Sequence, residues 1–268
     1  MSQRLLRYAA LALFWVAPWV HAAPPAALVL ASTTSTQNSG LLAHVLPTFT
    51  AQTGIQVKVV AVGTGQAMAL ARRGDADALL VHDPQAEAAF VGEGYGERRL
   101  PVMYNDFVLV GQRADPLAIK GRTLALALAA LAQSNAPFVS RGDRSGTHAA
   151  ELRFWRAAGV EHSGTGYMAC GCGMGAALNL ASAKSAYTLT DRASWVSFKN
   201  KGDLEIVVQG EPALFNPYGV IVVSTARHAH VNQAGAQAFA DWITSAPGQT
   251  AIANYRVGGM QLFFPSAK

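Results

Sequence analysis

Ser140-Arg141-Gly142-Asp143-Arg144-Ser145-Gly146-Thr147-His148 follows an apolar segment, Ala136-Pro137-Phe138-Val139, and precedes the helical pattern of residues 149–155. That order is strand, small-residue turn, helix start, the unit from which open α/β sheets are built. Ser145, Gly146 and Thr147 bring backbone N–H groups and two hydroxyls to the place where a helix leaves its first donors unpaired. The same end is the positive pole of the helix dipole, so the turn is built to hold an anion. Arg141 stands four residues before Ser145 and adds a fixed charge with a planar fork of donors. Read alone, the stretch also fits an ordinary capped helix with a solvated arginine.

A second turn of this kind tips the balance. Residues 26–31 read as a buried strand, followed directly by Ser32-Thr33-Thr34-Ser35-Thr36 and a helix from Leu41. Residues 55–62 are a β-branched strand, Gly63-Thr64-Gly65-Gln66 a tight turn and residues 67–73 a helix. A third strand at 78–81 leads to a turn at His82-Asp83-Pro84. Residues 103–111 form a longer strand, and helices follow at 123–133 and from the opening turn to about 158. A glycine-rich turn at 171–175 precedes a helical run at 176–183; strands follow at 186–189, 206–208 and 218–223. Thr190 is placed to cap a helix starting at Asp191. The last helix spans 234–245, and Pro247-Gly248 breaks it. Two β-α sets joined by long strands predict two α/β lobes, each a mixed sheet flanked by helices, with the strand-end turns facing across a cleft. The expected division is 26–110 for lobe 1, 111–215 for lobe 2, and 216–268 for the return to lobe 1.

At 268 residues the chain has room for two such cores. Arg4 and Arg7, an apolar run over 8–20 and Val20-His21-Ala22 describe a secretory signal peptide, residues 1–22. The apolar run is shorter than the roughly 20 residues of a membrane span. Losing Arg4 and Arg7 takes the basic residues from 21 to 19 against 16 acids, leaving +3. That mild excess suits a small anion, and without a basic run it makes nucleic acid a poor partner. Cys170 and Cys172, separated by Gly171, either close a small disulfide in an oxidising compartment or are two small residues in a turn. Asp83, Asp143 and Asp191 read as caps or arginine partners before catalytic acids.

Several motifs together resemble the tungstate-binding proteins of ABC importers, the TupA type. They are Ser32 to Leu42, Val62-Gly63-Thr64-Gly65-Gln66-Ala67, Arg73-Gly74-Asp75-Ala76-Asp77 with Val81 to Pro84, and Met103-Tyr104-Asn105-Asp106-Phe107. Ser140 to His148, Tyr187-Thr188-Leu189-Thr190-Asp191-Arg192 and Phe215-Asn216-Pro217-Tyr218-Gly219 complete the set, which spans nearly the whole chain after the leader. The resemblance implies a two-lobe (type II) periplasmic binding protein, in the class shared with molybdate and phosphate binders. It would deliver its ion to an ABC permease in the inner membrane. Ser32, Thr33, Thr34, Ser35 and Thr64 would bind the oxyanion from one lobe, and Arg141, Ser145, Gly146 and Thr147 from the other. No catalytic residue, cofactor or protein-ligated metal is expected, and the protein is expected to be a monomer. Two departures stand out: Ser32 replaces a threonine, and Cys172 stands where the resemblance puts the amide of a Gly-Gln-Gly-Met-Gly turn.

Tungstate is the first choice of ligand and rests on the resemblance, since molybdate has nearly the same charge and shape. Monohydrogen phosphate carries a proton and wants an acceptor carboxylate, whereas a deprotonated oxyanion suits a donor-only shell. The rival class is a secreted hydrolase using Ser145 and His148, but their separation is local and no Gly-x-Ser-x-Gly elbow occurs. A transcription regulator sharing this fold would need a DNA-binding helix pair and no export signal.

Overall fold

A computed structural model describes residues 27–161 and 164–267; the expected leader, residues 1–22, lies outside them. The chain opens with β1 (Leu28–Thr33), α1 (Thr34–Asn38), α2 (Leu41–Thr53), β2 (Val57–Val62), α3 (Thr64–Arg72), β3 (Ala78–Val81) and α4 (Pro84–Gly92). The long strand β4 (Gly96–Gln112) leads to α5 (Leu124–Ser134), β5 (Phe138–Ser140), α6 (Gly146–Ala157), β6 (Tyr167–Ala169), α7 (Met174–Lys184), β7 (Tyr187–Asp191), α8 (Arg192–Ser197) and β8 (Leu204–Val208). Then come β9 (Phe215–Val223), α9 (Gln233–Thr244), α10 (Ala246–Asn254) and three short strands, β10 (Arg256–Val257), β11 (Met260–Gln261) and β12 (Phe264–Pro265).

The main sheet runs β2-β1-β3-β9-β4-β7-β5-β6, and β4 sits at its middle because it changes partners along its length. Up to Asp106 it pairs antiparallel with β9, with Asn105 opposite Asn216. From Phe107 it pairs with β7, and from Leu109 also with β8. Parallel pairs flank this seam on both sides: β1 with β2 and β3, and β5 with β6 and β7.

Strand alternation divides each half of the sheet into two packed faces. In the first half Leu28, Leu30, Leu80 and Val220 pack with Phe49 of α2 and Phe239 of α9. Their neighbours Ala31, Leu79 and Ile221 point the other way, to Ala67 of α3 and Phe90 of α4. In the second half Phe107, Leu109 and Leu189 meet α5 and Trp155 of α6, while Val108, Val110 and Val139 meet Leu178 of α7. Burial on both faces explains why these strands read as continuous apolar runs.

The structure corrects several local expectations. Residues 34–38 are a short helix and not an open turn, with Thr33 as its cap. Asp191, not Thr190, caps α8, accepting from Ser194 N–H. Pro247-Gly248 does not end helical structure: it lies in the first turn of α10, where a proline's missing N–H costs nothing. Helix α4 and strand β6 were not anticipated. Among the described residues no helix is long and apolar enough to cross a membrane. Cys170 and Cys172 are joined in a disulfide.

Candidate anion-binding site

The carboxyl ends of β1, β2 and β5 carry the hydroxyl- and glycine-rich turns, and two of these turns touch across the seam. Gly146 N–H donates to Thr64 Oγ1 at 3.2 Å. Close backbone approach requires glycine here: a Cβ on Gly146 would lie 2.8 Å from Thr64 Oγ1 and 2.9 Å from His82 Cε1. One on Gly65 would lie 3.3 Å from Arg144 O.

Ser145 is the N-cap of α6, its hydroxyl accepting from His148 N–H at 3.2 Å. Arg141 is 3% exposed, and both Nε and Nη2 donate to Asp143 Oδ2. Asp143 also accepts from Ser145 N–H at 3.1 Å. Burial pushes the Asp143 carboxyl up, but its bonds to Ser145 and the adjacent guanidinium outweigh this and hold it below the usual carboxylate range. Asp143 is thus the arginine partner that the sequence predicts, and the turn is a closed ring of charge and donors. Thr147 Oγ1, one residue into α6, is buried with no hydrogen-bond partner among the described residues.

On the first half of the sheet, Thr33 Oγ1 accepts from Thr36 N–H and bonds to the hydroxyls of Ser35 (3.0 Å) and Thr36 (2.7 Å). Thr34 is half-buried and Thr64 buried. Ser32 faces elsewhere: its hydroxyl donates to Leu80 O at 2.7 Å, tying β1 to β3. The fold therefore brings Thr64 against Gly146 and clusters Thr33 with Ser35, but engages Ser32 within the sheet. A concavity of ≈ 640 Å³ between α2 and β2 includes none of these residues.

Sequence reasoning missed a buried polar chain under the turns. His82 Nδ1 meets Asn216 Oδ1 at 3.1 Å, Asn216 Nδ2 donates to Asn105 Oδ1 at 2.6 Å, and Asn105 Nδ2 donates to Asp191 Oδ1 at 3.4 Å. The His82 ring lies 4.7 Å from that of Tyr218. Burial keeps His82 below the usual histidine range; Asp191 and the Asn216 bond oppose this, and the Arg141 charge adds to it. Tyr218 is raised well above the usual tyrosine range by burial and the Asp191 charge. The available signal was polar residues interrupting apolar strands, Asn105 in β4 and Asn216 in β9, paired across the ladder.

Comparison with known proteins agrees with this geometry. Residues 20–247 match the PBP superfamily domain. The tungstate-binding protein TupA of Peptoclostridium acidaminophilum is 45% identical over 245 residues, 90% of this chain and 86% of that protein. The chain belongs to the TupA family. The solved TupA of Desulfovibrio alaskensis G20 superposes with a TM-score of 0.79 at 42% identity, covering 90% of this chain and 99% of that one. The tungstate ABC transporter structure from Geobacter sulfurreducens gives a TM-score of 0.79 at 45% identity, covering 86% and 99%. The TupA relatives are transporter binding proteins, not enzymes. In keeping with that, His148 Nδ1 accepts from Arg144 N–H, so this ring nitrogen faces the loop backbone and not the Ser145 hydroxyl. Asp83 likewise caps α4, accepting from Ala86 N–H, and pairs with Arg153 of α6 at 3.2 Å.

Proposed function

We propose that this TupA-family chain captures tungstate outside the cytoplasm and presents it to an ABC permease. The observation that carries the reading is the contact of the Thr64 and Gly146 turns beside a buried arginine and a buried, unpartnered Thr147 hydroxyl. Thr64 accepts from Gly146, so its own hydroxyl proton remains for the ion. Thr33, Thr34 and Ser35 add donors from the first half of the sheet; Arg141, Ser145 and Thr147 add theirs from the second.

The two halves act as lobes that close about the ion, joined where β4 exchanges β9 for β7 at Asp106 and Phe107. The first lobe takes residues 26–106 and 216–268 and the second 107–215, a break four residues before the expected one after 110 because Phe107 to Val110 pair with β7 and pack in the second half, with residues 1–22 as the export signal to the periplasm. The choice of tungstate is supported by what the relatives at 42–45% identity are named for binding. Calorimetric titration with tungstate, in competition with molybdate, sulfate and phosphate, tests the reading. Tungstate and molybdate should saturate one site, with sulfate and phosphate displacing neither. Displacement by phosphate at comparable concentration would overturn it.

A further inference from the structure

We propose that the Cys170–Cys172 bridge is a positioning element of the anion site, acting through Arg141. The proposal rests on the reading of the 140–147 turn as that site. Parallel pairing of β5 with β6 ends at Ser140 and Ala169, yet the two chains stay bonded beyond the ladder. Cys170 N–H donates to Ser140 O at 3.0 Å, and Cys172 N–H donates to Arg141 O at 3.0 Å. Cys170 Sγ lies 3.6 Å from the same Arg141 carbonyl. The disulfide loop therefore grips the backbone of Arg141, the buried arginine of the turn.

Both neighbours of that grip are conformationally free by residue type. Gly142, next to Arg141, sits at φ +61°, and Gly171, between the cysteines, also at φ +61°. Glycine visits this region readily and fluctuates out of it as readily. A Cβ on Gly142 would lie 3.0 Å from Ala169 Cβ and 3.4 Å from Gly171 N, so the two turns are stacked on one another. A covalent bridge across Gly171 limits the conformations open to 170–172 and holds both N–H donors on the Ser140 and Arg141 carbonyls. Gly173 then caps α7, so the same short loop also fixes where α7 begins. Because the loop is tiny, its cross-link removes little unfolded-chain entropy, and its main effect is on the geometry of the turn and not on global stability. Both cysteines are half-buried, within reach of a thiol reductant.

The test compares tungstate affinity in five preparations: oxidised wild type, reduced wild type, Cys170→Ser with Cys172→Ser, and Arg141→Ala with its disulfide intact and with it reduced. Reduction uses a dithiol, which is oxidised to its cyclic disulfide while the two cysteines take up two electrons and two protons. The reductant is removed anaerobically before titration. Reduced wild type and the double serine variant should bind about 10-fold more weakly, the low end for loss of a group that orients a ligand-contacting one. Their ligand-free melting temperatures should stay close to that of the oxidised protein. In Arg141→Ala, opening the bridge should change affinity no further. Equal affinity of oxidised and reduced wild type overturns the proposal, and so does an undiminished effect in Arg141→Ala. If the serine variant fails to fold, the reduced wild type still decides. Failure of oxidised wild type to bind tungstate would overturn the anion-site reading itself, and the bridge's role with it.

Discussion

Arg141 is held in place at 3% exposure by a carboxylate two residues away, and that pairing sets what its removal should do. Truncating one side of a buried charged interaction typically costs about 2–5 kcal/mol. Arg141→Ala should therefore weaken tungstate binding by roughly 30- to several-thousand-fold. Arg141→Lys keeps the charge but loses the fork and should fall between. Arg144, exposed and at φ +59°, should tolerate alanine with little change in affinity. Calorimetric titration of the three folded variants checks all of this. Loss of binding in Arg144→Ala with retention in Arg141→Ala would mean that the register of the turn is misassigned. At this scale the residues of the turn were readable because they are consecutive and their types fit one job. The neighbouring contributors were not. His82, Asn105, Asn216 and Tyr218 lie in or directly after three separate strands, Asn105 in the middle of β4, and meet only once β3, β4 and β9 are adjacent. Ser32 shows the converse limit: a hydroxyl in a hydroxyl-rich run gives no sign that it will be taken by Leu80 O.

Helix α6 couples the anion turn to a buried acid one turn further on. Burial raises Glu151 to about 7, against the hydrogen bond from Tyr167, which lowers it. Tyr167 Oη donates to Glu151 Oε1 at 2.7 Å. A carboxyl raised in the folded state favours folding while protonated, and that contribution is lost as pH rises through about 7. Stability should thus fall between about pH 4.5 and pH 7 on this account. Glu87, raised to about 7 by burial against its pairing with Arg99, contributes in the same window. Glu151→Gln keeps the shape and an acceptor for Tyr167 without the charge. It should be more stable than wild type at pH 8 by up to about 3 kcal/mol, with the difference vanishing near pH 4. Urea unfolding of both proteins across that range measures it, and parallel curves would show that Glu151 does not titrate there. Elements with strong periodicity, such as α6 and α9, were legible from the chain. Helix α4 was hidden because Asp83-Pro84 reads as a turn and is in fact a capped helix start. Strand β6, three residues long and half-exposed, carries no pattern of its own.

Across the described residues, the two halves of the sheet meet beyond the seam at several places, among them Ala193 of α8, which packs in the first-half core. Gly146 N–H to Thr64 Oγ1 is another, and Arg153 Nη1 to Asp83 Oδ1 at 3.2 Å a further one. The alternation of β and α segments pointed to two β-α sets joined by long strands, but not to the insertion of antiparallel β9 between β3 and β4. How closely the turns approach was not legible either, because it depends on which glycine faces which side chain. Gly146 separates packing within a lobe from contact between lobes. It occupies the first position of α6, where alanine is acceptable to the helix, so Gly146→Ala should leave the fold of the second lobe intact. A methyl there meets Thr64 Oγ1 at 2.8 Å and His82 Cε1 at 2.9 Å, both from the first lobe, and neither can recede freely because both are buried. On the proposed two-lobe reading, the penalty falls on the closed arrangement. If binding requires closure, affinity drops by the cost of that overlap, about 1–3 kcal/mol for an inserted methyl in a packed site, or roughly 5- to 150-fold. Small-angle scattering should show wild type contracting on saturation with tungstate, and Gly146→Ala contracting only at proportionately higher ligand. A variant that binds as tightly as wild type would mean that the ion is held by one lobe, with the Thr64–Gly146 contact incidental to it.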